Sequence, residues 1–600
     1  MTGSDPQFVT RGPFARGLWE WTLRAGVRAD APAPEARIYF GRDGGFSGSA
    51  TVGFASFPAE PATRTLRFWL PFDADALRFD PADAPGTLVL GEVTARRRGR
   101  LAATAAAFAR QARRHGLRGV MAWLGELVAA AWRGGTAFRA RMVELITAEE
   151  IDTAAWVAAT VAGRADAYPA RPERGLLSII STVYDTPPDY LRELAASLRT
   201  QTWSDYEWVL LDNGSRSEET RRALAEIASD ARVKPRRVER NLGIIGGMRH
   251  VLEQATGRYV LPVDSDDYLF PDALAIVAAV LQREGYPPLG YSDEDKLRDG
   301  RHLDPYFKPD WDPVLFRNLC YIAHLCAIDR ERALQLGVYS DPAAEGCHDW
   351  DTFFRFTRAG STPVHIPELL YSWRMHGGST AANVDAKDYV INSQRHVLER
   401  HLGETGLGDR FEVVRSPYFP VSPDWWIRRR RQAPLPVALV LHGDGDVDPR
   451  YPAARVTRAP IGEAPVRAWQ RAAADATAVV SFDTRLVPAS DEWLWELTGL
   501  RESFGDAAIV GGRLLDADRL IVGSGRSADD PGAFGTALKQ RTVEQVDLRL
   551  ALFDAEWLRG LDAAGLDGLT LDALSAELAR RAHRDRRRVI ASPFVEAALR

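Results

Sequence analysis

Cysteine is nearly absent from this chain: Cys320, Cys326 and Cys347 are all that 600 residues contain. An odd count without metal-type spacing leaves no disulfide framework and no cysteine metal site to read. It predicts buried free thiols in a reducing compartment. Long apolar runs are missing too. None reaches the roughly 18 residues of a membrane span, and the longest candidate, Val120 to Trp132, is broken by Glu126. The first 24 residues carry Asp5 and Glu20 and no continuous apolar core, so no secretory signal is legible. There is no basic excess: 76 Lys and Arg stand against 81 Asp and Glu, a net charge of -5. That argues against a general nucleic-acid binder. The phosphate-gripping lysine loop of phosphoryl-transfer proteins is absent as well. These absences together predict a cytoplasmic protein.

Charge is uneven locally. From Arg96 to Val143 there are eleven Arg against one acid, interleaved with Phe108, Trp123, Trp132 and Phe138. A second cluster reads Trp425-Trp426-Ile427-Arg428-Arg429-Arg430-Arg431. Two readings stand for each. Arginine beside aromatics suits the headgroup zone of an anionic membrane; the same pattern suits a solvated helix face or an interdomain linker.

At 600 residues the chain is too long for one core. Residues 1 to 100 carry short strand-like runs such as Ala36 to Phe40, Ser49 to Phe54 and Leu66 to Leu70, separated by Gly and Pro turns. This spacing predicts a β-sandwich accessory domain. Residues 101 to 170 are Ala-rich with helical spacing and read as a helical linker region. From Gly175 strands alternate with helices, which predicts a mainly parallel sheet covered on both faces over 171–410. Ligands of such sheets sit at the carboxyl ends of the strands. A second α/β segment, 411–600, repeats part of the first: Asp264-Ser265-Asp266-Asp267-Tyr268-Leu269-Phe270-Pro271 corresponds to Ser481-Phe482-Asp483-Thr484-Arg485-Leu486-Val487-Pro488. A repeat of this length implies a duplicated domain. The copy lacks the first Asp.

Polar residues gather where the predicted strands end. Asp264-Ser265-Asp266-Asp267 is an acidic bunch that invites a hard divalent cation, Mg²⁺ or Mn²⁺. Such an ion bridges the phosphates of a nucleotide donor. Acidic turns are also common without an ion, with Asp267 or Asp272 as a helix cap. Tyr184 can stack on a base and Asp212 can accept from a base or ribose, or Asp212-Asn213-Gly214-Ser215 can be an ordinary Asx turn. The loop Asn241 to Arg249 opens a helix, and Arg249 can reach a diphosphate. Tyr291-Ser292-Asp293-Glu294-Asp295-Lys296 is a second acidic cluster. In Cys347-His348-Asp349-Trp350-Asp351, one Asp suits the helix start and the other is left to act as a general base. Trp373-Arg374-Met375-His376 adds a cation and a metal-capable imidazole.

In this order the motifs resemble family 2 glycosyltransferases of GT-A fold, over about Gly175 to Leu402. The Tyr291 to Lys296 run with Phe307-Lys308-Pro309-Asp310-Trp311 is similar to bacterial enzymes of O-antigen, capsule and cell-wall glycan assembly, including rhamnosyltransferase-like members. The resemblance implies a central Rossmann-like GT-A domain and an inverting single displacement from a nucleotide-diphosphate sugar to a glycan or lipid-linked acceptor. It implies that Thr182, Tyr184 and Asp212 contact the nucleotide. Asp264 and Asp266 form the metal motif, Arg249, Arg374 and His376 face the diphosphate or metal, and Asp293 lies near the donor sugar. Asp349 is the base. The C-terminal copy resembles a degenerate GT-A domain. The expected setting is the cytoplasm, with peripheral contact to the cytosolic face of the inner membrane. The competing expectation is a non-catalytic glycan-binding scaffold in a polysaccharide-assembly complex.

Overall fold

The computed structural model describes residues 2–3, 8–15, 17–29, 35–42, 45–55, 62–70, 73–80, 86–98, 164–168, 174–298, 300–375, 388–418, 424–515, 521–523 and 539–599. The helices expected across 101–163, the first basic stretch beyond Arg98 and His376 lie outside these residues. The chain divides into two compact units, the first within 1–156 and the second from 157 onward.

The first unit holds two four-stranded antiparallel sheets. One orders Thr2–Gly3, Gly86–Arg98, Gly17–Ala29, Ala62–Leu70; the other orders Phe8–Phe14, Ala74–Asp80, Glu35–Arg42, Gly45–Ala55. Alternate residues point to one face of a strand. Trp21, Leu23, Ile38, Phe40, Leu66, Phe68, Leu77 and Phe79, from both sheets, accordingly build one buried core.

The second unit contains two α/β sheets. In the first, Val233–Val238, Tyr206–Asn213, Leu177–Val183 and Tyr259–Pro262 run parallel as adjacent strands. Cys326–Asp329 then joins antiparallel, followed by Leu289–Arg298, Val364–Arg374 and Tyr268–Leu269. The sheet is therefore mainly parallel, as expected: Leu289–Arg298 and Val364–Arg374 pair parallel and run with the first four strands, and Cys326–Asp329 and Tyr268–Leu269 are reversed. Both faces are covered. Leu177, Ile179, Trp208, Leu210 and Leu261 pack against the helices Pro188–Arg199, Glu218–Ile227 and Ala273–Arg283. The alternating set Ile180, Val209, Leu211 and Val260 packs against Gly243–Gln254, His348–Arg358 and Asp388–Glu404. Burying one such Leu, Ile or Val stabilises the fold by about 1.5–3 kcal/mol.

The second sheet orders Ala454–Arg458, Val437–His442, Ala478–Asp483, Leu550–Asp554, Ala507–Leu515, Arg588–Leu599, Leu486–Pro488. Its pairing senses repeat those of the first sheet, with one difference. Ala454–Arg458 lies directly beside the first strand, where the first sheet has Tyr206–Asn213. Among the described residues the copy has one strand on that side, Ala454–Arg458, where the first sheet has two, Tyr206–Asn213 and Val233–Val238.

Two boundaries shift from those read in the sequence. Arg164 Nε donates to Asp272 Oδ2 at 3.0 Å and Tyr168 Oη to Glu368 Oε1 at 3.0 Å, so the chain is anchored on the first sheet's unit before residue 171. The ribbon of Phe411–Arg415 with Trp425–Arg429 packs through Phe411, Val413, Trp425 and Ile427 into the core that contains Trp350. Its arginines are paired: Arg428 with Glu412, Arg429 with Glu502 and Arg431 with Glu492. The linker reading of this cluster fits these pairings. Cys326 and Cys347 are buried, Cys320 is half-buried, and all three are free thiols. Among the described residues no helix is long and apolar enough to cross a membrane.

Candidate functional site

The strand Tyr259–Pro262 is central and ends in the acidic run. Asp264 reaches solvent, whereas Asp267 is fully buried. Tyr371 organises the turn: it accepts from Asp264 N–H at 3.2 Å and donates to Asp267 Oδ2. Arg374 N–H donates to Asp267 Oδ1 at 2.7 Å. Ser265 Oγ bonds Thr186 Oγ1 at 2.7 Å, tying the turn to the neighbouring strand end.

One oxygen each of Asp264 and Asp267 and one ring nitrogen of His324 lie within 4.8 Å of one another. Two carboxylates and an imidazole are a donor set for a divalent cation such as Mn²⁺. The carboxylate that converges with Asp264 is thus that of Asp267. Asp266 contributes its carbonyl to Arg374 Nε. His324 stacks on Tyr371, with ring centres 4.9 Å apart. Its Nδ1 lies 3.1 Å from Glu294 Oε2, which Lys308 Nζ also approaches at 3.2 Å.

The electrostatics match a cation-seeking cluster. The protein around Asp264 displaces water and raises its carboxyl above the ordinary range, although one edge stays open. The charges of Asp266 and Asp349 add to this rise, and His324 opposes it. Burial, then Asp266 and Asp264, push Asp267 well up. Burial disfavours a charged His324, but Glu294, Asp264 and Asp267 outweigh it and hold its pKa at about 9. Burial likewise opposes ionisation of Glu294, yet Lys308 and His324 bring it down to about 2.

Asp349 sits in the first turn of His348–Arg358 and shares this field. Its side chain is 27% exposed and its ionic neighbour is His348, at 3.5 Å. Asp351, two residues on, is buried and locked: Arg355 Nε donates to it at 2.9 Å, and Arg400 pairs with it. Of the two carboxylates read in the sequence, Asp351 is held by two arginines, and Asp349 has only His348 beside it.

Thr182 and Asp212 stand at the carboxyl ends of adjacent parallel strands, with Tyr184 exposed just beyond. Asp212 Oδ1 accepts from Ser215 N–H at 2.8 Å as an Asx turn, and its other oxygen pairs with Arg237. Gly247 lets the helix Gly243–Gln254 approach these strands: a Cβ there would meet Thr182 Cγ2 and Asn213 Nδ2 at 2.9 Å. Arg249 is engaged elsewhere, with Glu253 at 2.6 Å and Val338 O at 3.2 Å. Arg374 is buried, pairs with Glu193 at 2.6 Å and lies 4.5 Å over Tyr190. Asp293 is buried; its Oδ1 accepts from Lys308 N–H at 2.8 Å and bonds His365 Nε2 at 2.9 Å. His365 Nδ1 continues to Asp310 at 3.0 Å.

Sequence reading missed His324, His365, Glu345 and Tyr371. Each stands outside any motif as a lone residue, and only folding supplies its partners. Glu345 bonds both Ile244 N–H at 2.6 Å and Ile245 N–H at 3.0 Å. It thereby joins the start of Gly243–Gln254 to the loop that precedes Asp349.

Comparison with known proteins covers this same region. Residues 178–334 match the family described as Glycosyl transferase family 2. An uncharacterized protein, y4gI, of Sinorhizobium fredii is 35% identical over 262 residues, 43% of this chain and 29% of that protein. The O-antigen biosynthesis protein RfbC of Myxococcus xanthus is 30% identical over 261 residues, 42% of this chain and 20% of its own. Chondroitin synthase of Escherichia coli is 25% identical over 239 residues, 39% of this chain and 33% of its own. The aligned parts thus span about a fifth to a third of these relatives' length. Among solved structures, S. aureus TarS 1–349 in complex with UDP-GlcNAc is 19% identical over 38% of this chain and 66% of its own, with a TM-score of 0.32, a likeness too slight to argue from. Through residues 178–334, this chain carries a family 2 glycosyltransferase domain.

Proposed function

We propose that the chain is an inverting, metal-dependent glycosyltransferase that moves a sugar from a nucleotide-diphosphate donor to a glycan or lipid-linked acceptor in bacterial cell-surface polysaccharide synthesis. The observation that carries the reading is the position of Asp349. It is partly exposed, without a locking partner, and close enough to Asp264 for its charge to be felt there. Similarity to an O-antigen biosynthesis protein supports the polysaccharide setting.

In this reading Asp349 accepts the proton of the acceptor hydroxyl as its oxygen bonds to the anomeric carbon. The bond from that carbon to the diphosphate oxygen breaks in the same displacement, and the electron pair leaves with the nucleotide diphosphate. Asp264 with Asp267 and His324, or with Asp266 as the resemblance implies, would hold Mn²⁺ or Mg²⁺, which supplies charge stabilisation to the leaving diphosphate. Thr182, Tyr184 and Asp212 flank the nucleotide, and Arg249 and Arg374 would have to exchange present partners to reach phosphate. The C-terminal sheet is read as a pseudo-glycosyltransferase domain. In support, among the described residues it has one strand fewer on the side of Asp212, Ser481 replaces the first Asp, and Asp483 is tied to Arg485 at 2.6 Å. The N-terminal sheets are read as an accessory, carbohydrate-binding domain, and the chain as a peripheral protein of the cytosolic membrane face.

A panel of nucleotide sugars assayed for hydrolysis and transfer, with Mn²⁺ and with EDTA, tests the reading. Metal-dependent turnover of one donor supports it. Absence of turnover together with glycan binding would favour a scaffold.

A further inference from the structure

A cavity of 310 Å³ lies away from the acidic cluster, between the far end of His348–Arg358, the end of Asp388–Glu404, and Arg588 of the C-terminal sheet. Asp349 and Arg358 are nine residues apart on one helix, about 13 Å along its axis. The cavity is therefore not part of the site described above.

Its lining is basic, and four of its buried side-chain nitrogens lack a protein partner, although Arg588 pairs with Asp506. Arg317 lies 4.2 Å over the ring of Phe504, and no carboxylate among the described residues pairs with it. Its Nη1 is buried without a hydrogen-bond partner in the protein. Burial lowers its pKa to about 10, and Arg588 pushes the same way. Arg358 pairs through Nη2 with Glu404 at 2.5 Å, but its buried Nη1 also has no protein partner. His401 is 7% exposed and stacks on Phe354 with ring centres 4.0 Å apart. Neither of its ring nitrogens meets a protein partner. Burial and the two arginines keep it neutral, so it offers one donor and one acceptor.

Each buried polar atom left unpaired costs about 1–3 kcal/mol, and an unpaired buried cation costs more. Four such atoms, on three side chains around one cavity, are explained together by a ligand that accepts hydrogen bonds and carries negative charge. Trp311, Phe316 and Phe354 add aromatic rings to the wall, and threonine and serine residues complete it. The volume lies at the small end of the range for small-molecule sites.

We propose that this cavity binds a compact organic oxyanion, a phosphate or carboxylate carried on a single sugar-sized body, through Arg317, Arg358 and His401. The sugar part of the assignment rests on the proposed function; the oxyanion part rests on the cavity alone.

The test is calorimetric titration of the full chain in EDTA with α-D-glucose 1-phosphate, D-glucuronate, inorganic phosphate and D-glucose. Without a divalent cation the acidic cluster repels anions, so binding reports on this cavity. At least one sugar anion is expected to bind and neutral glucose not to. Arg317→Gln should weaken binding by about tenfold or more, the loss of a charge-assisted bond. Thr362→Trp, at the exposed rim, should do the same by blocking entry while removing no buried group. Circular dichroism checks that both variants fold. Binding of none of the three anions, equal binding of glucose, or full binding in Thr362→Trp would overturn the proposal. Binding of inorganic phosphate alone would overturn its sugar part. Donor turnover with Mn²⁺, measured separately, tells failure of this site from failure of the proposed function.

Discussion

His324 Nδ1 lies 3.1 Å from Glu294 Oε2, while a ring nitrogen of the same imidazole lies within 4.8 Å of Asp264 and Asp267 oxygens. A metal-binding histidine commonly gives its second ring nitrogen to a carboxylate, which fixes the ring and its tautomer. Glu294 is placed for that role. Loss of such a partner weakens metal binding by about 10–100-fold. Glu294→Gln is therefore expected to lower Mn²⁺ affinity within that range, and His324→Ala to lower it further. Electron paramagnetic resonance of free Mn²⁺ reads this without reference to turnover. Wild-type affinity in His324→Ala would remove His324 from the metal site.

Asp349 and Asp351 should separate cleanly. Asp349→Asn is expected to reduce kcat by about 10²–10⁴, the usual worth of a positioned base, with the melting temperature little changed. Asp351→Asn removes the carboxylate that Arg355 and Arg400 share, leaving Arg400 with Asp341. It should cost about 1–3 kcal/mol of stability, read by urea unfolding. Retained transfer in Asp349→Ala would sink the base assignment.

Glu345 caps two backbone N–H groups of Gly243–Gln254 from across the fold. Glu345→Ala should destabilise the chain by about 1 kcal/mol, as loss of a helix cap does. It should also lower kcat/KM, because the loop it anchors leads into Asp349. Glu345→Gln, which keeps one acceptor oxygen, should lie between.

Glu496 gives a pH signature to the C-terminal sheet. It is fully buried, accepts from Ser592 Oγ at 2.7 Å, Trp426 Nε1 at 2.9 Å and Gln540 Nε2, and burial raises its pKa from 4.5 to about 7. Between those values the folded chain binds the extra proton, so stability falls as pH rises. The contribution is complete below pH 4.5 and lost above about 7. Its size is about 3 kcal/mol. In urea unfolding across that window, Glu496→Gln should flatten the slope; an unchanged slope would assign it to other groups.

Much of the site was legible because it lies in short contiguous motifs. The apolar run ending at Asp264, the paired acids Asp349 and Asp351, and the repeat at Ser481 all declare themselves locally. The parallel first half of the sheet follows from alternating strands and helices. Its mixed second half does not, because Cys326–Asp329 is four residues long, too short to carry a direction. The roles of Asp212, Arg249 and Arg374 were legible only as residue types. Their present partners, Arg237, Glu253 and Glu193, come from 25, 4 and 181 positions away.

By itself the sequence determined the alternation of strands and helices from Gly175 and the strand-end carboxylates, since each depends on periodicity or on neighbours within a few residues. Only the tertiary structure decided that Asp267 and His324 converge with Asp264, and that Asp351 is locked while Asp349 is not. It alone placed Arg317, Arg358 and His401 around one cavity. These are distances between residues remote in the chain, set by how two layers of helices close on a twisted sheet, and no local pattern encodes them.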